Sequence, residues 1–144
     1  MGRPFRNGRL FLYLRMKLII AGSRYFTNYD LLKEKLDYYL SNAKPPIEII
    51  SGRCSTGTET FRTKDHIKVF GADGLGERYA EEKGYKVHPF PANWKLGKSA
   101  GPRRNEDMAR IATHLIAFHS GSAGTQNMID TAVKYGLKVR VVEV

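Results

Sequence analysis

The stretch Gly121-Ser122-Ala123-Gly124-Thr125-Gln126 follows the apolar run Leu115-Ile116-Ala117-Phe118 and precedes a helical pattern that begins near Met128. A strand, a glycine-bearing turn and a helix start in this order point free backbone N–H groups and a helix dipole at an anion. A tight strand-to-helix turn without any ligand has the same sequence signature. Turns of the same small, polar kind elsewhere in the chain favour the ligand-binding interpretation.

Short apolar runs alternate with amphipathic helical patterns along the rest of the chain. This alternation predicts an α/β fold: a single Rossmann-like, doubly wound domain with a five-stranded, mainly parallel sheet and helices on both faces. Strands are expected at about 17–21, 47–50, 86–90, 114–118 and 137–142, and helices at about 28–42, 73–83, 102–112 and 125–135.

Turn and cap residues set the expected helix boundaries. Thr27 and Asp30 have the spacing of a capping box, which predicts Thr27 as the N-cap of the first helix. Pro102 is expected at the first position of the third helix, where its missing N–H costs nothing. Gly84 is expected to end the second helix.

Composition places the chain among ordinary globular domains. It has 144 residues, of which 42% are hydrophobic and 26% charged, and this predicts one domain with a real core. No apolar run is long enough to span a membrane. The single cysteine, Cys54, argues against a disulfide framework and fits a cytoplasmic location. No Cys and His cluster has zinc-ligand spacing, so no metal is expected.

The formal net charge of +10 raises nucleic acid as a partner. Residues 1–15 carry four arginines and no acid, so the chain from Met16 accounts for +6 of the +10. We therefore expect a basic N-terminal extension over 1–15 and a folded domain over 16–144. Within that domain, residues 53–70 are expected to form an inserted loop, with residues 67–70 as one arm of a small hairpin.

Small polar turns follow the predicted strands one, two and four. They are Gly22-Ser23-Arg24, Ser51-Gly52 and the stretch from Gly121 through Ser122, Ala123 and Gly124 to Thr125. In an open parallel sheet the ligand binds at the carboxyl ends of the strands, where the strand order reverses. These turns are therefore expected to share one ligand site.

Two consecutive cations at a helix start, Arg103 and Arg104, oppose the helix dipole, which suggests that they hold an anion. One or both could instead point into solvent. Asn105 beside them could orient a ribose or a phosphate oxygen. Arg24 is a second anion candidate unless it pairs with an acid such as Asp30 or Glu77. Trp94, the only tryptophan, could stack on a base or plug the sheet edge.

Carboxylates near helix starts mostly serve as cap and dipole residues, and no pair of them has a spacing that demands acid–base work. The catalytic residues therefore stay undetermined, with Glu77 and Glu106 as the candidates to test.

Taken together, these motifs resemble the SLOG superfamily, in particular its YspA-type (cpYpsA-related) branch. The resemblance covers about residues 17 to 142. It rests on Ile20-Ala21-Gly22-Ser23-Arg24, Ser51-Gly52, Gly71-Ala72-Asp73, Gly101-Pro102-Arg103-Arg104-Asn105 with Met108, and Ser122-Ala123-Gly124-Thr125.

The resemblance implies a nucleotide or a nucleotide-derived ligand, such as an NAD- or ADP-ribose-like compound, that the protein senses or processes. No other cofactor is implied. The positions that it implies as ligand contacts are Gly22, Ser23, Arg24, Gly71, Asp73, Arg103, Asn105, Gly124 and Thr125.

The chain departs from the pattern of its apparent relatives in two places. In the family, the Ser-Gly turn and the Gly-Ala-Asp motif follow each other closely, whereas here residues 53–70 separate them. This segment is therefore expected to lie beside the site as a lid or a partner surface. The related LOG phosphoribohydrolases have a catalytic glutamate three residues after the threonine of the Gly-Thr turn, where this chain has Met128.

Three functions are compatible with the sequence. The first is a cytoplasmic, homo-oligomeric module that binds a phosphorylated nucleoside compound and has no membrane partner. The second is a nucleotide N-glycosidase or phosphoribohydrolase with a displaced carboxylate such as Glu106 or Glu77. The third, ranked last, is single-stranded DNA binding, as in the similar DNA-processing protein A family.

Overall fold

A computed structural model describes residues 15–144, so the extension expected over 1–15 lies outside the described residues except for Arg15. Seven strands, four α-helices and one 3-10 helix follow one another along this part of the chain. In chain order they are β1 (Met16–Gly22), α1 (Tyr29–Tyr39), β2 (Ile47–Ser51), β3 (Glu59–Arg62), β4 (Lys68–Phe70), α2 (Gly71–Lys83), β5 (Lys86–Pro89), the 3-10 helix (Trp94–Ser99), α3 (Ala100–Ile111), β6 (His114–His119), α4 (Ala123–Lys134) and β7 (Lys138–Glu143).

Five of the strands form one parallel sheet in the order β5-β2-β1-β6-β7. The chain first builds outward from β1 through β2 to β5 and then returns to the other side of β1, so the strand order reverses between β1 and β6. Ile19 lies opposite Ile50 and Gly22 opposite Phe118, which brings the carboxyl ends of β1, β2 and β6 to one edge. The predicted doubly wound, Rossmann-like fold is confirmed.

Alternate residues of each strand face the two layers of helices, because successive side chains of a strand point to opposite faces. Leu18 and Ile20 of β1 pack with the apolar stripes of α1 and α2. Ile19 and Ala21 pack on the other face with α3 and α4. Both faces of β1 are therefore buried, which explains its unbroken apolar run.

Several helix starts differ from the sequence prediction. Asn28, not Thr27, caps α1, since its side-chain oxygen accepts a hydrogen bond from the N–H of Leu31 at 3.1 Å. Helix α3 begins at Ala100, which puts Pro102 in its first turn but not at its first position. Proline is tolerated there because the N–H groups of a first turn have no partner within the helix.

The segment 53–70 is not a loop throughout, because β3 and β4 pair as an antiparallel hairpin. The hairpin is fixed to the turn after β1 and to the start of α2. The N–H of Thr58 donates to the carbonyl of Arg24 at 2.9 Å, and the N–H of Gly71 donates to the carbonyl of Thr58 at 2.8 Å. The insertion therefore contains a hairpin that is anchored by hydrogen bonds beside the carboxyl edge of the sheet.

No helix among residues 15–144 is both long enough and apolar enough to cross a membrane.

Candidate ligand-binding cavity

A cavity of about 690 Å³ opens at the carboxyl edge of the sheet, beside the point where the strand order reverses. Its floor is apolar and comes from β1 and from the inward faces of α3 and α4, including Met108 and Met128. Eleven of the fifteen residues expected to bind ligand line it: Gly22, Ser23, Arg24, Gly52, Asp73, Trp94, Asn105, Ser122, Ala123, Gly124 and Thr125.

The other four expected contacts lie outside the cavity lining. Ser51 and Gly121 are adjacent in sequence to lining residues, Gly71 packs against the backbone of Ser23 and Arg24, and Arg103 is exposed on the surface of α3. The cavity contains Arg104 instead. Consecutive helical residues point about 100° apart, and here Arg104 faces the cavity while Arg103 points to solvent. The buried Met108, four residues after Arg104, marks the inward face and is the sequence signal that identifies Arg104.

Arg104 is held in place by neighbours from β2 and α3. Its Nε donates to the side-chain oxygen of Asn105 at 3.0 Å, and its Nη1 donates to the carbonyl of Gly52. Asn105 in turn donates through Nδ2 to the side-chain oxygen of Asn127 on α4 at 2.8 Å. This chain of polar contacts links three sides of the cavity and fixes the position of a positive charge.

Asp73 faces Arg104 across the backbone of Gly52. A Cβ atom on Gly52 would lie 2.7 Å from Arg104 Nη1 and 3.0 Å from Asp73 Oδ2, so only glycine leaves room for both side chains. The N–H of Cys54 donates to Asp73 Oδ2 at 3.0 Å. Burial raises the pKa of Asp73 to about 6, and the Arg104 charge and the Cys54 N–H oppose that rise.

The start of α4 forms the opposite side of the cavity. Ser122 caps the helix, with its Oγ accepting from the N–H of Thr125 at 3.4 Å and donating to Thr125 Oγ1 at 2.7 Å. Apart from its chain neighbours and the backbone of its own helix, no heavy atom of residues 15–144 lies within 4 Å of the position that a Cβ on Gly124 would occupy. A ligand can therefore approach the backbone closely here, at the positive end of the helix dipole.

Two exposed aromatic side chains stand among the lining residues. Trp94 is 58% exposed and Tyr25 is 61% exposed. The Trp94 ring packs over Gly101, where an added Cβ would lie 3.6 Å from it. Sequence reasoning missed Tyr25, although it directly follows the Gly22-Ser23-Arg24 turn. Because both rings line the cavity and are more than half exposed, each offers aromatic surface for stacking.

Three further residues lining the cavity were also missed, and each comes from a segment without a recognisable motif. Lys98 belongs to the 3-10 helix, while Cys54 and Thr56 belong to the segment leading into β3. Arg24 donates to Thr56 Oγ1 at 3.3 Å and forms no ion pair with Asp30 or Glu77. Burial raises the pKa of the Cys54 thiol, which leaves it neutral at physiological pH.

Neither carboxylate considered as a catalytic candidate lines the cavity. Glu77 is buried against Arg53, and Glu106 contacts Arg110 at 3.5 Å and the Tyr135 hydroxyl at 3.4 Å. Among the described residues, Asp73 is the one carboxylate in the cavity lining. Residues 15–144 contain no group of three or more His, Cys, Asp or Glu side chains placed to hold a metal ion.

Comparison of the chain with protein-family models, with curated proteins and with solved structures finds no match in any of the three.

Proposed function

We propose that this protein binds a phosphorylated nucleoside or a nucleotide-derived compound in the cavity at the carboxyl edge of the sheet. The observation that carries the proposal is the charge that residues 15–144 give the lining: three cations, Arg24, Lys98 and Arg104, and a single carboxylate, Asp73, together with the start of α4. Such a lining attracts an anion, and its size suits a small organic ligand.

The phosphate of the ligand lies at the α4 side of the cavity in this proposal. In the first turn of α4 the N–H of Thr125 donates to Ser122 Oγ, whereas those of Ala123 and Gly124 have no acceptor among residues 15–144, which makes these two the donors for phosphate oxygens. Arg24 and Lys98 supply positive charge at the cavity surface, whereas Arg104 is held by hydrogen bonds to Gly52 and Asn105. The base stacks on Trp94 or Tyr25, for which the exposed ring faces are the support.

We further propose that the chain is a SLOG-type protein that senses or sequesters its ligand. Two observations favour binding over hydrolysis. Glu77 and Glu106 lie outside the cavity, and Met128, at the position of the LOG glutamate, lines it with a thioether that transfers no proton.

Isothermal titration calorimetry with AMP, ADP-ribose and NAD tests the proposal. We expect at least one of them to bind, and we expect Arg24→Ala and Lys98→Ala each to weaken its binding by about 10-fold, the usual loss for one charge-assisted hydrogen bond. Arg103→Ala is the matched control, because it removes an exposed arginine next to the cavity and is expected to leave the affinity unchanged.

Absence of binding by all three compounds would overturn the proposal. Equal losses in Arg103→Ala and Arg24→Ala would locate the anion outside the cavity. Binding of a short single-stranded DNA in place of the nucleotides, by a chain that begins at Met16, would favour the nucleic-acid alternative.

A further inference from the structure

The ligand groups that fit next to Asp73 are restricted by the chemistry of a carboxylate. Asp73 Oδ2 accepts a hydrogen bond from the N–H of Cys54, and no hydrogen bond to Oδ1 is found among residues 15–144. Arg104 lies on the other side of Gly52, yet the two side chains form no ion pair within 4.0 Å in the described chain. Asp73 therefore has accepting capacity left at the cavity surface.

An ionised carboxylate only accepts hydrogen bonds, so its ligand partner must be a donor. A phosphate group beside Asp73 would be repelled, which keeps the phosphates near α4, Arg24 and Lys98. The part of a nucleotide that carries neutral donors next to a phosphate is the sugar, through its hydroxyl groups. The amino group of a base is the other available donor.

We propose that Asp73 accepts hydrogen bonds from the sugar hydroxyls and thereby selects ribonucleotides over 2′-deoxyribonucleotides. This inference rests on the proposed nucleotide binding and specifies the class of nucleotide. Gly52 supports the subsite by letting Asp73 and Arg104 approach its backbone, so that the donor-binding group and a fixed positive charge stand side by side. A ribose phosphate would present its hydroxyl groups to Asp73 while its phosphate lies towards α4, Arg24 and Lys98.

Paired ligands that differ only at the 2′ position provide the test. The affinities of ribose 5-phosphate and 2-deoxyribose 5-phosphate, and of AMP and 2′-deoxyAMP, are measured by calorimetry at pH 7.5. We expect the ribo compound of each pair to bind about 10- to 100-fold more tightly, the usual range for a hydrogen bond to a charged group. In Asp73→Ala the two members of each pair should bind with equal affinity.

Arg24→Ala is the matched control, because it should weaken both members of a pair to the same extent and keep their ratio. Circular dichroism and thermal denaturation of Asp73→Ala exclude loss of the fold as the cause of a changed ratio. Asp73→Ser provides a second, polar variant in which the ratio should also collapse.

Equal affinities of the wild-type protein for ribo and deoxy ligands would overturn this inference and leave nucleotide binding intact. Discrimination between AMP and 2′-deoxyAMP that persists in Asp73→Ala would also overturn it. Equal weakening of AMP and 2′-deoxyAMP by Asp73→Ala, with no effect on ribose 5-phosphate, would assign Asp73 to the base and overturn the sugar assignment. If none of the four ligands binds, the proposed function fails together with this inference.

Discussion

Arg53 holds both carboxylate oxygens of Glu77, with its Nη2 2.7 Å from Oε1 and its Nε 3.1 Å from Oε2. Ser51 Oγ donates a further hydrogen bond to Oε2 at 2.7 Å. The Glu77 side chain is 2% exposed and that of Arg53 21%. Three hydrogen bonds thus tie this buried carboxylate of α2 to the end of β2, which is a structural role.

Removal of this carboxylate should destabilise the fold. We expect Glu77→Ala to lower the free energy of unfolding by about 3 kcal/mol, because it leaves a partly buried Arg53 without its partner. Urea denaturation measures the change. Asp107→Ala, which breaks the exposed pair with Arg110, is the control and should cost less than about 0.5 kcal/mol.

The double variant Arg53→Met, Glu77→Met separates the ion pair from the packing. It should recover much of the lost stability, since apolar side chains of similar size replace a buried pair at little cost. A loss below about 1 kcal/mol in Glu77→Ala would show that the pair contributes little.

The fold was predictable because its signals are local. The apolar runs that become β1 and β6, and the glycine turns that follow them, indicate a parallel sheet and the edge at which its ligand binds. The phase of α3 is also encoded locally, because Met108 marks the inward face four residues after Arg104, but the predicted contact was Arg103, and this choice was wrong.

Contacts between distant parts of the chain were not predictable. In the sequence, Glu77 resembles an ordinary helix-start acid, and its ion pair with Arg53 is visible only in the fold. Cys54 belongs to no motif, and the hydrogen bond from its N–H to Asp73 is likewise visible only in the fold. The hairpin could not be predicted in detail for the same reason. The register of β3 with β4 and the attachment of the hairpin to Arg24 depend on tertiary hydrogen bonds, which composition does not encode.

The raised pKa of Asp73 predicts a pH dependence of stability. Its pKa rises from 3.8 to about 6 on folding, so the folded state holds this proton more tightly than the unfolded state. The resulting stabilisation is fully present below pH 3.8 and is lost as the pH rises through 6. At pH 7.5 the ionised carboxylate therefore costs stability.

Asp73→Asn should for that reason be more stable than the wild type at pH 7.5, by about 1 to 3 kcal/mol. The difference should shrink as the pH falls from 6 towards 4. Urea denaturation across this range measures it, and Asp65→Asn in the exposed hairpin turn controls for the loss of one carboxylate charge elsewhere. The expectation fails if the Asp73→Asn difference is constant with pH.

Two glycine-to-alanine variants separate the two sides of the cavity. Gly52→Ala places a Cβ against Arg104 and Asp73, whose side-chain ends must then move, so nucleotide affinity should fall at least about 10-fold with a small change in stability. Gly124→Ala meets no atom within 4 Å and should leave the fold unchanged. A loss of affinity in Gly124→Ala therefore reports contact between the ligand and the start of α4, and unchanged affinity would remove the phosphate from that position.

The attachment of the hairpin to the site depends on Gly57. Its φ of +116° suits glycine, and a Cβ there would overlap the carbonyl oxygen of Arg24, which accepts the Thr58 N–H. Gly57→Ala should therefore release the hairpin from the turn after β1. We expect faster amide exchange at Thr58 and Gly71, and weaker nucleotide binding because Arg24 loses its contact with Thr56.

Gly84→Ala separates backbone strain from overlap, since Gly84 also has a positive φ, of +75°, but has no atom within 4 Å of an added Cβ. Gly84→Ala should lower the free energy of unfolding by about 1 kcal/mol, which is the strain of a left-handed conformation alone. It should leave the amide exchange rate at Thr58 unchanged. Gly57→Ala should cost more because the overlap adds to the strain. Equal losses of stability in the two variants, with equal amide exchange rates at Thr58, would show that the contact with Arg24 does not hold the hairpin. The hairpin could then move relative to the cavity.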